Sequence, residues 1–251
     1  MTGRGDGTGL PAITEAMTWT ELFSDRARHR AEVGDPDWHR GSTLPPSIVA
    51  SLQRFQVGES GDGARLIGLA DAAGDPEYAQ AVRMFVAEEN NHARLLAELL
   101  SAAGETTLAG HWSDQVFVWC RRALGLRCEL LVLSVAELIA LEYYGALATS
   151  PDHLLHEVSA RILDDEVHHV RFQEERSAAG FADTPPRLRG MAGAVWLAFA
   201  AVVAVVVALD HGGALRAVGR SRGRFIRSCV HLMSDFRTGV FAGRREVALT
   251  K

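Results

Sequence analysis

The tightest constraint on this chain is a set of ionisable residues at positions where a helical core ordinarily places leucine. Read as helices, residues 75–104 carry an apolar stripe of Val82, Phe85, Leu96 and Leu99 that also contains Glu89 and His92. Residues 152–180 carry Leu155, Val158, Ile162 and Phe172, with Glu166 and His169 among them. Two further stripes each hold a glutamate: Glu59 among Ile48, Leu52, Phe55, Leu66 and Leu69, and Glu137 among Leu130, Leu133, Leu141 and Tyr144. A lone carboxylate moved into a low-dielectric core either costs several kcal/mol or takes up a proton, so four of them require a shared cation or a water-filled cavity. A multivalent metal satisfies all four.

Spacing sharpens this reading. "EENNH" at 88–92 and "DEVHH" at 165–169 repeat one word: an acid, a glutamate, two residues, a histidine. A Glu and a His three apart lie about 60° apart on one helical face, close enough to share a metal ion. The His-Glu-x-x-His pattern of zinc proteases is absent. In an antiparallel helical hairpin, residues equidistant from the turn lie side by side. The mean of positions 59 and 89 is 74, a glycine in "AGDP", and that of 137 and 166 falls between Pro151 and Asp152. Both pairs therefore sit roughly 22 Å from their turns. Glu142 points about 140° away from Glu137 around its helix and ranks as a second-choice ligand. His168 lies about 100° off the ligand face. Asp62 shares the face of Glu59 one turn on.

The periodicity predicts an all-α chain. A single helix is expected from Pro45 to near Gly74, running through Gly58, Gly61 and Gly63, whose missing side chains would leave room around Glu59. A second helix opens at Asp75-Pro76 and ends at Gly104, a third runs from about Arg127 to Ala148, and a fourth starts at Ser150-Pro151-Asp152. A short helix is expected within the link, around residues 113–124. Two hairpins joined by a long link make a four-helix bundle with one crossover. Residues 1–44 read as an N-terminal extension with a helix, 45–180 as the bundle, and 181–251 as an apolar helix followed by a basic amphipathic tail helix over about 214–241.

One Glu from each of two helices and a Glu-x-x-His from each of the other two is a dinuclear carboxylate ligand set. On these residues the sequence, over positions 45–180, resembles the ferritin-like di-iron carboxylate superfamily, which includes small ribonucleotide reductase subunits, multicomponent monooxygenase hydroxylases, acyl desaturases and rubrerythrins. The resemblance implies a ferritin-like bundle and two iron ions per chain, with a mixed Mn/Fe pair as the alternative and dioxygen as co-substrate. It implies that Glu89 and Glu166 bridge the metals, that Glu59 and Glu137 are terminal ligands, and that His92 and His169 bind one metal each. Asp165, and by position Glu88, would orient a ligand histidine. Tyr144, two turns from Glu137, reads as a packing residue, with an electron-relay role as the alternative. The implied activity is that of an oxygen-dependent oxidase or oxygenase hydroxylating, desaturating, N-oxidising or oxidatively cleaving a small organic substrate. The alternatives are a ferroxidase or a peroxide-detoxifying protein; the cysteine pairs of a complete rubrerythrin are absent.

With a net charge of −5 and scattered arginines, no basic stripe marks a nucleic-acid partner. Cys120, Cys128 and Cys229 share no CxxC spacing and read as reduced, buried thiols of a cytoplasmic protein. No flavin or nicotinamide motif is evident, so an external electron donor is expected. Met191 to Leu209 lacks any charge and is long enough to span a bilayer. Its Ala/Gly/Val composition and the lack of an aromatic belt favour a helix packed on the bundle or in a homodimer contact over a membrane-associated protein.

Overall fold

The computed structural model describes residues 17–61, 63–110 and 125–242, and among these every regular element is a helix. In chain order they are α1 (Trp19–Val33), a 3-10 turn (Trp38–Arg40), α2 (Pro46–Glu59), α3 (Ala64–Ala72), α4 (Pro76–Ala102), α5 (Gly125–Leu147), α6 (His153–Gly180), α7 (Pro186–Asp210), α8 (Gly212–Ala217) and α9 (Arg222–Phe241). Local chemistry sets the boundaries. Thr18 and Glu21 form a reciprocal capping box at the start of α1. Asp75 caps α4 just ahead of Pro76, and Asp152 caps α6. The Asp152 carboxylate also accepts from the Ser42 hydroxyl and the Thr43 amide, which ties the connection between α1 and α2 to the start of α6.

The segments α2 and α3 run along α4, α5 runs along α6, and α4 and α3 face α6 and α5 across the interior. The apolar core divides into two clusters. One gathers Leu52, Leu96, Leu99, Leu138, Tyr143, Leu155 and Ile162, and the other Phe23, Leu66, Val82, Phe85, Leu130 and Phe172. On α4 the sequence runs from the second cluster, through Glu89 and His92, to the first, and on α6 from the first, through Glu166 and His169, to the second. The ionisable residues thus occupy a layer between two apolar clusters, from which bulk water is held back on both sides.

Three expectations from the sequence need correction. The helix expected from Pro45 to Gly74 breaks after Glu59 and resumes at Ala64. Gly63 adopts φ 61°, in the left-handed region, and a Cβ there would lie 2.5 Å from both γ-carbons of Val86. Gly58 and Gly61 are exposed, and a Cβ on either would meet nothing within 4 Å, so neither provides clearance around Glu59, and it is Gly63 that serves the break and the approach of the chain to α4. The tail helix is likewise interrupted, between Ala217 and Arg222, where Gly219 takes φ 74°. Cys128 is half-buried rather than buried, whereas Cys229 is enclosed and burial pushes its thiol up to about 12. Cys120, Asp62 and the short helix expected at 113–124 lie outside the described residues.

The apolar helix α7 packs on one face only. Gly193, Trp196, Ala200, Ala204 and Ala208 are buried; the Trp196 ring stacks on Phe236 of α9, and its indole donates to the Leu131 carbonyl at 2.7 Å. The opposite face exposes Leu188, Met191, Val195, Val202 and Leu209. Among the described residues two helices, α5 and α7, are long and apolar enough to cross a membrane; the most apolar window of α5 is 72% buried and that of α7 only 28%.

Candidate metal centre

Each member of the interior layer is placed by its own helix. On α4 and α6, Glu89 and His92, and Glu166 and His169, are one turn apart and face inward. These four residues offer ligand atoms that all lie within 4.8 Å of one another. The two glutamates stand between the two imidazoles. Glu89 Oε1 is 3.6 Å from His92 Nδ1 and 3.0 Å from His169 Nδ1. Glu166 approaches the same two nitrogens at 3.4 and 3.6 Å.

The remaining two glutamates flank this core. On α5, Glu137 Oε2 lies 3.7 Å from His169 Nδ1, and Gln173 donates to its other oxygen at 2.8 Å. Glu59, at the end of α2, accepts from the Tyr144 hydroxyl at 2.8 Å and interacts with Glu89, Glu166 and His92. All six residues expected from the sequence are therefore brought together. Tyr144, read mainly as packing, is fully buried and also holds Glu59 in place. The second-choice ligand Glu142 points elsewhere and pairs with Arg220.

The far nitrogen of each imidazole is held by an acid from the opposite helix. Asp165 on α6 accepts from His92 Nε2 at 3.1 Å, and Glu88 on α4 accepts from His169 Nε2 at 2.9 Å. In the neutral ring the proton then sits on Nε2, and Nδ1 presents a lone pair to the interior. Helix α1 closes this outer layer: Arg26 donates twice to Asp165, and Arg30 contacts both Glu88 and Asp165. Phe23 and Phe85 pack their rings against His169.

Arg26, Arg30 and Gln173 are absent from the sequence candidates. A signal existed for each. The two arginines are four apart and so share a helical face, and Gln173 follows His169 by four on a buried stripe. A cleft of about 580 Å³ lies outside this layer, with Arg26, Arg30, Arg94, Arg161 and Asp165 in its walls, and none of the six inner residues lines it.

The inner atoms fit cations. Glu89 Oε1, Glu166 Oε2 and both histidine Nδ1 atoms are buried without a hydrogen-bond partner, a costly state unless something binds them together. Four ionised glutamates carry the charge that two divalent ions neutralise, while Glu88 and Asp165 are matched by Arg26 and Arg30. In the metal-free protein, protons take over that task. Burial depresses the basicity of His92 and His169, but the carboxylates of Asp165 and Glu166 beside the first and of Glu137, Glu166 and Glu88 beside the second outweigh it, and both are held well above the usual imidazole range. Burial, and then the charges of Glu89 and Glu166, push Glu59 and Glu137 well above the carboxylate range. Glu166 and Asp165 are depressed: burial opposes ionisation, but the histidines that they contact more than offset it.

Compared with known proteins, the chain matches no family model, no curated protein and no solved structure. What stands on the geometry alone is an all-helical chain with a buried Glu/His cluster compatible with a di-iron site.

Proposed function

We propose that this protein is a ferritin-like, oxygen-dependent oxidoreductase in which two iron ions act on a small organic substrate. The observation that carries the reading is the set of orphaned inner atoms, two imidazole nitrogens and two carboxylate oxygens, sealed between apolar clusters and backed by acids that fix the imidazole tautomers. In this reading Glu89 and Glu166 would hold the ions together with His92 and His169, because each of these carboxylates lies within reach of both imidazoles. Glu59 and Glu137, at either flank, would complete the donor set. Ferrous ions in such a mixed carboxylate and imidazole site supply electrons to dioxygen, and a manganese–iron pair is compatible with the same donors.

The chain's own residues supply the rest. Tyr144 and Gln173 orient the flanking glutamates by donating to them, Asp165 and Glu88 keep both Nδ1 lone pairs directed inward, and the apolar clusters exclude water from reactive species. Electrons beyond those stored in the metals come from an external donor.

The test is anaerobic loading with ferrous iron, followed by metal counting and aeration. Two iron ions per chain, a near-ultraviolet absorption band on aeration and reductant-dependent oxygen uptake are expected. Fewer than two ions per chain, or undiminished uptake in Glu89→Ala, refutes the reading. A second reading, the same chemistry at a membrane surface, draws on the exposed apolar face of α7. Flotation with liposomes is expected in that case, and recovery of all protein in the pellet-free aqueous phase rejects it.

A further inference from the structure

The exposed face of α7 has a phase of its own. Leu188, Met191, Val195, Ala198, Val202, Val205 and Leu209 follow one another at alternating steps of three and four residues, and every one of them is exposed. At 100° per residue, their mean direction lies about 170° around the helix from that of Gly193, Trp196, Ala200, Ala204 and Ala208, the buried residues that hold α7 to the rest of the chain. Three heptads of apolar residues in this alternation form the seam of a helix that packs along another helix, because a 3.5-residue repeat keeps one stripe against a partner over its whole length.

The size of this face is that of an interface. Its large side chains keep from 40% (Val205) to 70% (Val195) of their surface accessible. Together they present roughly 700 Å² of apolar surface, more than the ~300–600 Å² of the largest patch on a typical monomer. Two copies would bury about 1,400 Å², within the ~1,200–2,000 Å² of a stable, specific interface. Ala194 and Ala201, beside the seam, leave room for two backbones to approach. A bilayer asks only for apolar area and sets no such alternation, whereas a facing helix requires it.

We propose that α7 is a self-association helix: two copies of this chain pair through the stripe from Leu188 to Leu209, antiparallel and related by a twofold axis near Ala198. Charge sets the orientation. The helix has no charged residue between Arg189 and Asp210, so its charges stand at its ends, Arg187 and Arg189 at the start and Asp210 at the finish. Asp210, though paired with Arg54, keeps 32% of its side chain accessible. An antiparallel pair centred on the stripe sets Arg187 of one copy level with Asp210 of the other, since the two lie equally far from its middle. A parallel pair would set like charges beside each other and align both helix dipoles. An isologous contact of this kind uses the same patch twice and closes on itself, so assembly stops at two chains. All six residues of the buried site come from one chain, so the pairing does not depend on the metal reading above.

Sedimentation equilibrium of the full chain in detergent-free buffer tests this. A mass twice the 27.2 kDa of the single chain is expected at micromolar concentration. Val202→Glu enters the contact twice and is expected to raise the dissociation constant at least about 100-fold, with the helical circular dichroism kept. A single-chain mass for the wild type overturns the proposal, and if that chain floats with vesicles of phosphatidylcholine and phosphatidylglycerol the face belongs to a bilayer instead. A double mass that survives Val202→Glu overturns it too. Orientation is read by oxidative crosslinking, with the unaltered chain and its three cysteines as the blank. A mixture of Leu188→Cys and Leu209→Cys chains is expected to crosslink while neither does so alone, because like ends stand roughly 30 Å apart in an antiparallel pair. Crosslinking of Leu188→Cys with itself, or none in the mixture, overturns the antiparallel pair, and this arm decides alone if Val202→Glu loses its helicity.

Discussion

Loading the site with two divalent cations at controlled pH should expel protons, and the structure sets how many. Four groups hold protons in place of the cations: His92 and His169, kept charged above the usual imidazole range, and Glu59 and Glu137, kept neutral above the usual carboxylate range. Their charge is that of two dications. Where all four retain their protons, loading is expected to release about four protons per chain, and fewer as pH rises and the metal-free protein gives them up. Each released proton changes the logarithm of the binding constant by one per pH unit, so the overall constant for both ions should fall about 10⁴-fold, or about 100-fold per ion, for each unit of acidification in that range. Isothermal titration of ferrous or manganous ion in two buffers of different ionisation enthalpy counts the protons directly. Release of less than one proton at every pH would show that the inner groups are not protonated in place of metal, and the charge-balance reasoning would fail.

The same protons dictate the pH dependence of the metal-free fold. Above about pH 4.5 the folded chain holds more protons than the unfolded one at Glu59 and Glu137, and above about pH 6.5 at His92 and His169 as well, so its melting temperature should fall as pH rises. Asp165 and Glu166, whose values are depressed, add stability that is present above their unfolded values near 3.8 and 4.5 and is lost in acid. Thermal scans from pH 3 to 8 should therefore show an optimum near pH 4 to 5 that metal moves upward, and a flat profile contradicts this. Arg30→Met strips the nearly inaccessible Glu88 of its arginine partner and leaves Asp165 with Arg26 alone. A cost of about 2 kcal/mol, or roughly 4–8 °C in Tm, is expected with a 10- to 100-fold loss of metal affinity, measured by calorimetry and chelator competition. Gly63→Ala should cost about 2 kcal/mol or more through its left-handed backbone and the Val86 contact, while Gly61→Ala should change stability by less than about 0.5 kcal/mol, as judged by urea unfolding. Val195→Glu, on the open face of α7, should leave the stability of the single chain, measured at dilution, within about 0.5 kcal/mol, and a large drop would mean that this face is covered from within the chain.

The inner residues were legible in the sequence because burying charge is costly. Glu89, His92, Glu166 and His169 stand out only against the leucines and phenylalanines around them, and the hairpin means at Gly74 and near Asp152 match pairs that the fold brings into one layer. The outer layer was harder to read. Arg26 and Arg30 lie more than fifty residues from Glu88 in sequence, on a helix whose exposed arginines look like ordinary surface, and only tertiary packing aims them inward. Asp165 and Glu88 were legible as neighbours of the ligands, but not that each serves the histidine of the opposite helix. The break at Gly63 is hidden because apolar spacing continues across it: Leu52 is buried in one cluster and Leu66 and Ala70 in the other, so periodicity alone does not register the interruption. The exposure of half of α7 is likewise invisible to hydropathy, which records what a helix is made of and not what stands beside it.

That break leaves the centre mechanically unequal. Glu89, His92, Glu137, Glu166 and His169 ride on helices of 23 to 28 residues, where moving one side chain by its backbone means moving a rod. Glu59 is the last residue of a 14-residue helix, and the next helix begins only at Ala64. The carbonyls at such an end lack helical partners, so opening there costs a fraction of global unfolding. On warming, the six-residue set should decay to five before any rod melts, and backbone amide exchange should be fastest in the turn that carries Glu59.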